Sequence, residues 1–288
     1  MDRQRTLLFV GAHPDDESFG LGATLAQYAA AGAKVYYACG TRGEVGVADP
    51  EFMKGFATIG DMRWAELKCA AEALGLTDVI NLGYRDSGMS GSADNKHPDA
   101  MVNAPLEELT SRIVKVIREL KPQVVITFDP VGGYRHPDHI AIHNAAVKAF
   151  HAAGNAAQYT SVGAPYAPQK LYFDVFSHRV LKFVVRVLPL FGQNPRRFGR
   201  NKDIDLASIA AVKFPVHAAL RLSKQAIRAR DKAADCHASQ MAGGPRRAGL
   251  FGLLNRLSTL FGERDLFMRA YPPVNGRRRE KDLFEGVV

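Results

Sequence analysis

The sequence predicts an α/β fold, with a doubly wound, mostly parallel sheet, helices on both faces and a basic C-terminal extension. Three observations predict it. Short apolar runs alternate with helical patterns through the first 178 residues. Glycine, proline and acidic residues gather in the loops that follow two of these runs. The chain has 288 residues, 47% of them hydrophobic and 23% charged, enough for one large domain, or one domain with an appended segment. Disorder as the main state is excluded.

Residues 6–11 (TLLFVG) form a compact apolar run that suits a buried parallel strand. Residues 18–32 are rich in Ala and Leu and close on Gly32, as a helix does. A second strand follows at 33–40, then a loop over 41–57. Helical spacing over 61–74 ends at Gly75, and 79–82 form a third strand. Residues 83–104 lack periodicity and read as a long loop, a feature usually functional or disordered inside a compact domain. An amphipathic helix over 106–120 stops at Lys121-Pro122. Then come a strand at 124–128, a Gly/Pro-rich loop at 129–139, a helix at 140–150 and a strand at 170–176. The pattern is Rossmann-like, and such sheets bind ligands in the loops at the carboxyl ends of the strands.

Charge divides the chain. Residues 1–178 sum to −4 and residues 179–288 to +13, within a net charge of +9. We take 1–178 as the α/β core and 179–288 as a basic, partly helical segment packed on it. Within the second part, 179–215 begins with apolar residues interrupted by Arg and Lys. It reads as an added helix and loop, with peripheral membrane contact as an open alternative. Residues 221–239 look helical, and 243–288 are expected to be partly irregular. A solvated face accounts for the basic character, and no nucleic-acid partner is expected. Homo-oligomerisation is left open.

Three cysteines (Cys39, Cys69, Cys236) and no CxxC exclude a disulfide scaffold and a thiolate zinc knuckle. The N-terminus lacks a signal-peptide pattern. The expectation is a reduced, cytoplasmic protein.

The first strand runs into Gly11-Ala12-His13-Pro14-Asp15-Asp16-Glu17. A dinucleotide fold would place its glycine-rich turn here. Three consecutive carboxylates would repel a pyrophosphate instead. They suit a divalent cation. His13 and Asp16 are three apart and can converge, which leaves Asp15 to face the site as a base. Alone, His-x-x-Asp is more simply a polar turn with a helix N-cap. A second cluster changes the weighing: the strand at 124–128 is followed by Asp129 and then Tyr134-Arg135-His136-Pro137-Asp138-His139. In a parallel sheet both loops lie on one edge. His139 can then complete a His-Asp-His site with open positions, the pattern of a catalytic zinc. His143 reads as an ordinary helix residue.

AHPDDE and HPDH, in this order and context, resemble the paired signatures of the PIG-L/LmbE family of zinc-dependent N-acetylglucosamine deacetylases. The resemblance covers residues 5–176 and resumes at 232–240, where His237-Ala238-Ser239-Gln240 is similar to a C-terminal family motif. It implies an LmbE-like fold. It implies metal ligation by His13, Asp16 and His139, of Zn2+ or Fe2+, and Asp15 as general base. His136 would stabilise the oxyanion or protonate the amine, and Tyr134 would polarise the substrate carbonyl. Arg63 and Asp86 match sugar-holding positions of the mycothiol branch, and His237 is a third candidate for substrate contact. Arg135 departs from the small residue often found before HPDH, which bears on pocket shape. Asp129 is expected to support a histidine or the loop. Glu17 is expected to be structural, and Glu44 to bind substrate or pair with Arg42.

The function implied is removal of the N-acetyl group from an N-acetylglucosamine-type glycoconjugate, a small molecule. Two alternatives stand beside it: an amidase for a larger acyl group of a sugar or thiol conjugate, and a basic-surface binding module with a vestigial metal site.

Overall fold

A computed structural model describes residues 4–198, 202, 204–241, 263–276 and 278–288. The chain begins with β1 (Thr6–Gly11), the short α1 (Asp16–Phe19), α2 (Gly22–Ala30), β2 (Lys34–Thr41), α3 (Ile59–Leu74) and β3 (Asp78–Tyr84). Next come α4 (Leu106–Leu120), β4 (Val124–Phe128), α5 (Gly132–Arg135), α6 (Pro137–Ala152) and β5 (Lys170–Asp174). The C-terminal part supplies α7 (His178–Val187), α8 (Leu206–Ala210), β6 (Ala218–Arg221), α9 (Lys224–Cys236), α10 (Ala238–Met241) and β7 (Arg264–Tyr271).

Seven strands form one sheet in the order β3-β2-β1-β4-β5-β7-β6. β1 to β5 are parallel, and β7 runs antiparallel to both β5 and β6. β1 and β4 are neighbours, with Leu8 opposite Val125, although more than a hundred residues separate them. The strand order reverses between them, which opens a crevice at their carboxyl ends. β1 and β4 are buried at every position, so they read as continuous apolar runs.

Local chemistry sets the helix ends. Thr58 caps α3 by accepting the Asp61 N–H, and Gly75 ends it in the left-handed region at φ 72°. Lys121 adopts φ 51° at the end of α4, where Pro122 forbids another turn. α6 starts three residues earlier than its apolar pattern, because Pro137 takes the first helical position. The expected helix over 18–32 is two helices. Gly22 lies where a Cβ would stand 2.9 Å from Arg230 Cγ, so the break lets α9 pack closely.

α9 packs on α2 and α3 through the small side chains Ala26, Ala70 and Ala233, with Leu74. That contact corrects one expectation. Cys69 and Cys236 form a disulfide, with Cα atoms 5.8 Å apart and 167 residues between them in sequence. Only Cys39 is free, and it is buried. The expectation of a reduced protein rested on the cysteine count, the missing CxxC and the N-terminus, none of which reveals partners that helix packing brings together. The loop over 83–104 contains two 3-10 turns, Ala93–Lys96 and Met101–Asn103. Of the stretch expected to be irregular, 263–271 includes an eight-residue strand, while 242–262 and 277 lie outside the described residues. No described helix is long and apolar enough to cross a membrane.

Candidate active site

The turn after β1 is tied down by its own carboxylates. Asp16 Oδ2 accepts the backbone N–H groups of Ala12 (3.0 Å) and His13 (2.8 Å). The hydroxyl of Tyr37 donates to the His13 carbonyl at 2.7 Å. Asp15 sits at φ 118°, a region costly for any residue with a Cβ. Two groups hold it there. Its N–H donates to Glu17 Oε2 at 2.9 Å, and Arg63 Nη2 donates to Asp15 Oδ2 at 3.0 Å and to the Pro14 carbonyl at 2.6 Å. Glu17 is fully buried and its Oε1 lies 2.7 Å from His237 Nε2.

The loop after β4 brings the second cluster alongside. His13 Nδ1 stands 3.2 Å from His139 Nε2. Asp16 Oδ1 is 3.4 Å from His139 Nε2, and Asp16 Oδ2 is 3.9 Å from His13 Nδ1. Two ligand atoms of a tetrahedral zinc, each about 2.0–2.1 Å from the metal, lie roughly 3.3–3.4 Å apart. The His13–His139 pair has a spacing that a single divalent cation would accept, while Asp16 meets the two imidazoles through different oxygens, Oδ1 toward His139 and Oδ2 toward His13. The other ring nitrogen of His13 faces Asp138 Oδ2 at 3.2 Å and Asp86 Oδ1 at 3.5 Å. His136 joins both sides: His13, His136 and His139 offer ligand atoms within 4.8 Å of one another, and so do His13, Asp86, His136 and Asp138. The residues present thus fit a metal ion. Phe128 stacks on the His139 ring at 3.8 Å between centroids and fixes its plane.

Burial and charge set the protonation of these groups. Burial pushes Asp15 up to about 6, against the pull of Arg63. Burial would raise Asp16 too, but His139 and His13 outweigh it and hold that carboxyl below its usual range. Asp86 is held low in the same way, chiefly by His13. Burial lowers His136, and the neighbouring His13 and His139 lower it further.

A cavity of about 430 Å³ opens over the cluster. His13, Asp15, Arg63, Asp86, Tyr134 and His136 line it, with Val45, Met89, Ile204 and Gln240 completing the wall. Asp16 and His139 lie beneath, buried. The Tyr134 ring meets His139 edge-on at 4.8 Å. Sequence reasoning put His237 against substrate. The structure places it fully buried on Glu17, and Gln240 from the same motif lines the cavity instead. Asp129 holds the loop, accepting the N–H groups of Val131 (2.8 Å) and Gly133 (3.2 Å). Glu44 accepts the Asp86 N–H at 3.0 Å, while Arg42 pairs with Asp61 at 3.0 Å. His143 Nδ1 lies 2.8 Å from the Phe128 carbonyl. Sequence reasoning missed Asp138 and Ser87. Asp138 accepts the Ser87 N–H at 2.9 Å and the Ser87 hydroxyl, and its own signal was its place inside HPDH.

The family model described as PIG-L, GlcNAc-PI de-N-acetylase, matches residues 8–150, which contain both histidine clusters. A 1D-myo-inositol 2-acetamido-2-deoxy-alpha-D-glucopyranoside deacetylase of Geodermatophilus obscurus is 38% identical over 302 residues, spanning 100% of this chain and 99% of that one. The chain belongs to the PIG-L family. Among solved structures it is similar to the conserved protein TT1542 of Thermus thermophilus, with TM-score 0.59 and 24% identity over 94% of this chain and 96% of that one. It is also similar to the N,N'-diacetylchitobiose deacetylase of Pyrococcus horikoshii, with TM-score 0.63 and 17% identity over 92% and 83% of the two chains. At these identities the structures show a shared fold. The matched residues include the turns after β1 and β4, where the cluster is built.

Proposed function

We propose that the chain is a metal-dependent hydrolase that removes the N-acetyl group from an N-acetylglucosamine-type conjugate. One observation carries the reading: Asp15, a half-buried carboxyl held by Arg63, shares a cavity wall with an adjoining His/Asp donor cluster. The names of similar proteins support the substrate class, since both an inositol-linked acetamido sugar and diacetylchitobiose carry an acetamido group.

His13, Asp16 and His139 would hold the ion. Two imidazoles and a carboxylate suit zinc, and ferrous iron accepts the same donors. When bound, the ion supplies Lewis acidity toward the acetyl oxygen and the attacking water. The chain supplies the rest. Asp15, ionised and oriented by Arg63, takes a proton from the water as its oxygen bonds to the acetyl carbon. A base with a pKa near the working pH combines availability with driving force. The Tyr134 hydroxyl, whose pKa burial raises, donates to the carbonyl oxygen as negative charge grows there. Burial and two neighbouring imidazoles favour neutral His136, so it offers a hydrogen bond rather than a standing positive charge. The proton on Asp15 then passes to the nitrogen as the carbon–nitrogen bond breaks. Acetate and a free amine result.

The test is acetate release from a panel of N-acetylglucosamine conjugates (inositol-, malate-, lipid- and peptide-linked, plus free sugar) with zinc supplied. We expect release from at least one conjugate, and release slower by about 10²–10⁴-fold from Asp15→Ala. Silence across the panel from protein that holds metal would refute the N-acetyl reading and leave the larger-acyl amidase.

A further inference from the structure

We propose that α7 and the turn after it form a docking surface for an anionic lipid bilayer. The helix has no buried residue, although it is capped at its start by Ser177 and continues into the 3-10 turn Leu188–Phe191. One side rests on the protein through half-buried Leu181, Val184 and Val185 and buried Leu188, and α7 packs on α8. The other side presents large apolar groups to solvent. Phe176 is 54% exposed, Val180 59%, Phe183 53%, Leu190 80% and Phe191 56%. A water-facing helix ordinarily places polar residues there.

Cations border these apolar groups. At about 100° per residue, Arg179, Lys182 and Arg186 fall within one narrow arc of the helix, and Phe183, Val187 and Val180 fill the next arc. All three cations are exposed, and none has an ion-pair partner among the described residues. Residues 175–202 contain seven Lys or Arg and no Asp or Glu. A bilayer interface answers both features at once. Its headgroups offer negative charge, and the acyl boundary takes up Phe, Leu and Val in the same plane. An acidic protein partner would satisfy the cations and leave the five apolar groups unexplained.

The surface adjoins the catalytic rim. The Phe176 ring lies 3.6 Å from where a Cβ on Gly133 would stand, and Gly133 precedes Tyr134 of the cavity wall. Ile204, two residues before α8, lines the same cavity. Docking through α7 would bring the cavity mouth close to the headgroups.

The test is flotation of the full chain with vesicles of phosphatidylcholine alone and of phosphatidylcholine with phosphatidylglycerol. The protein should float with the second and not the first, and high salt should release it. F183S/L190S and K182E/R186E should each cut the bound fraction roughly tenfold or more. Neither pair touches the cavity, so turnover of a soluble acetamido conjugate should be unchanged. The vesicle result stands without any turnover, so it can fail independently of the deacetylase reading. No binding of the wild type to phosphatidylglycerol vesicles would overturn the proposal. So would equal binding by both double variants, which would assign the affinity to other basic residues. A wild-type dimer that F183S/L190S turns into monomer, with no vesicle binding, would show that a second copy covers the face.

Discussion

His237 Nε2 lies 2.7 Å from Glu17 Oε1, and both side chains are fully buried. The other oxygen of Glu17 accepts the Asp15 N–H at 2.9 Å. His237 therefore reaches the candidate base through one intermediary, which makes it a positioning residue. Asp15 at φ 118° cannot keep its place without such support. His237→Ala should lower kcat with little change in KM, since a displacement of about 1 Å at a catalytic group can cost about 10²-fold. It should also lower stability by about 1–3 kcal/mol, because buried Glu17 loses its imidazole partner and keeps only the Asp15 N–H and the Ser18 hydroxyl. His237→Gln, which keeps a donor, should recover part of kcat. Steady-state kinetics below the shifted melting temperature would separate the effects. An unchanged kcat in His237→Ala would remove the positioning role.

Asp15 and His139 should part company under substitution. Asp15→Ala removes a base and leaves the donors His13, Asp16 and His139 in place. Turnover should fall by about 10²–10⁴-fold, with bound metal per chain unchanged by elemental analysis. His139→Ala removes a donor that faces both His13 and Asp16, and metal content should fall with activity. Metal loss in Asp15→Ala would move that carboxylate into the ligand set.

What could be read from the sequence follows from range. β1 and β4 are buried on both faces, so each appears as an unbroken apolar run, and the turns after them carry compact motifs. His13, Asp15, His136 and the cation-binding character of the turns were therefore visible. β7 was not. Its sequence RDLFMRAY has a single fully buried side chain, Phe267, so it shows no apolar run. The pairs that complete the site lie far apart in sequence. Glu17 and His237 are 220 residues apart, and Ser87 and Asp138 are 51 apart. Local spacing says nothing of such pairs. Glu17 reads as structural and lies in the first turn of α1, but its buried partner His237 is not legible from local spacing.

The disulfide should matter to stability. It joins α3 to the end of α9, one residue before His237. Ser239 of the following turn donates through its N–H and its hydroxyl to Glu66 of α3, both at 2.8 Å. A crosslink across 167 residues restricts the unfolded chain strongly. Cys69→Ser should cost about 2–5 kcal/mol. Reductant should lower the melting temperature of the wild type and leave that of the variant unmoved. Equal melting temperatures for wild type and variant under oxidising conditions would show that the crosslink contributes nothing.

Asp265 gives the fold a pH dependence of predictable sign. It lies on β7, where the Thr24 hydroxyl donates to its Oδ2 at 2.6 Å. Burial raises its pKa from 3.8 to about 6, with Thr24 and Arg230 pulling the other way. The folded state therefore holds this proton more tightly than the unfolded chain does. The resulting stability is fully present below about pH 4 and is lost as pH rises through about 6, because stability falls wherever the folded state binds more protons. A shift of about two units corresponds to at most about 3 kcal/mol. Asp265→Asn cannot titrate, so its unfolding free energy should vary less between pH 4 and pH 6 than the wild type's. Denaturant melts at several pH values would measure both slopes. Identical slopes would place the proton elsewhere, with half-buried Asp174, whose pKa is raised by burial and by Asp265, next to be substituted.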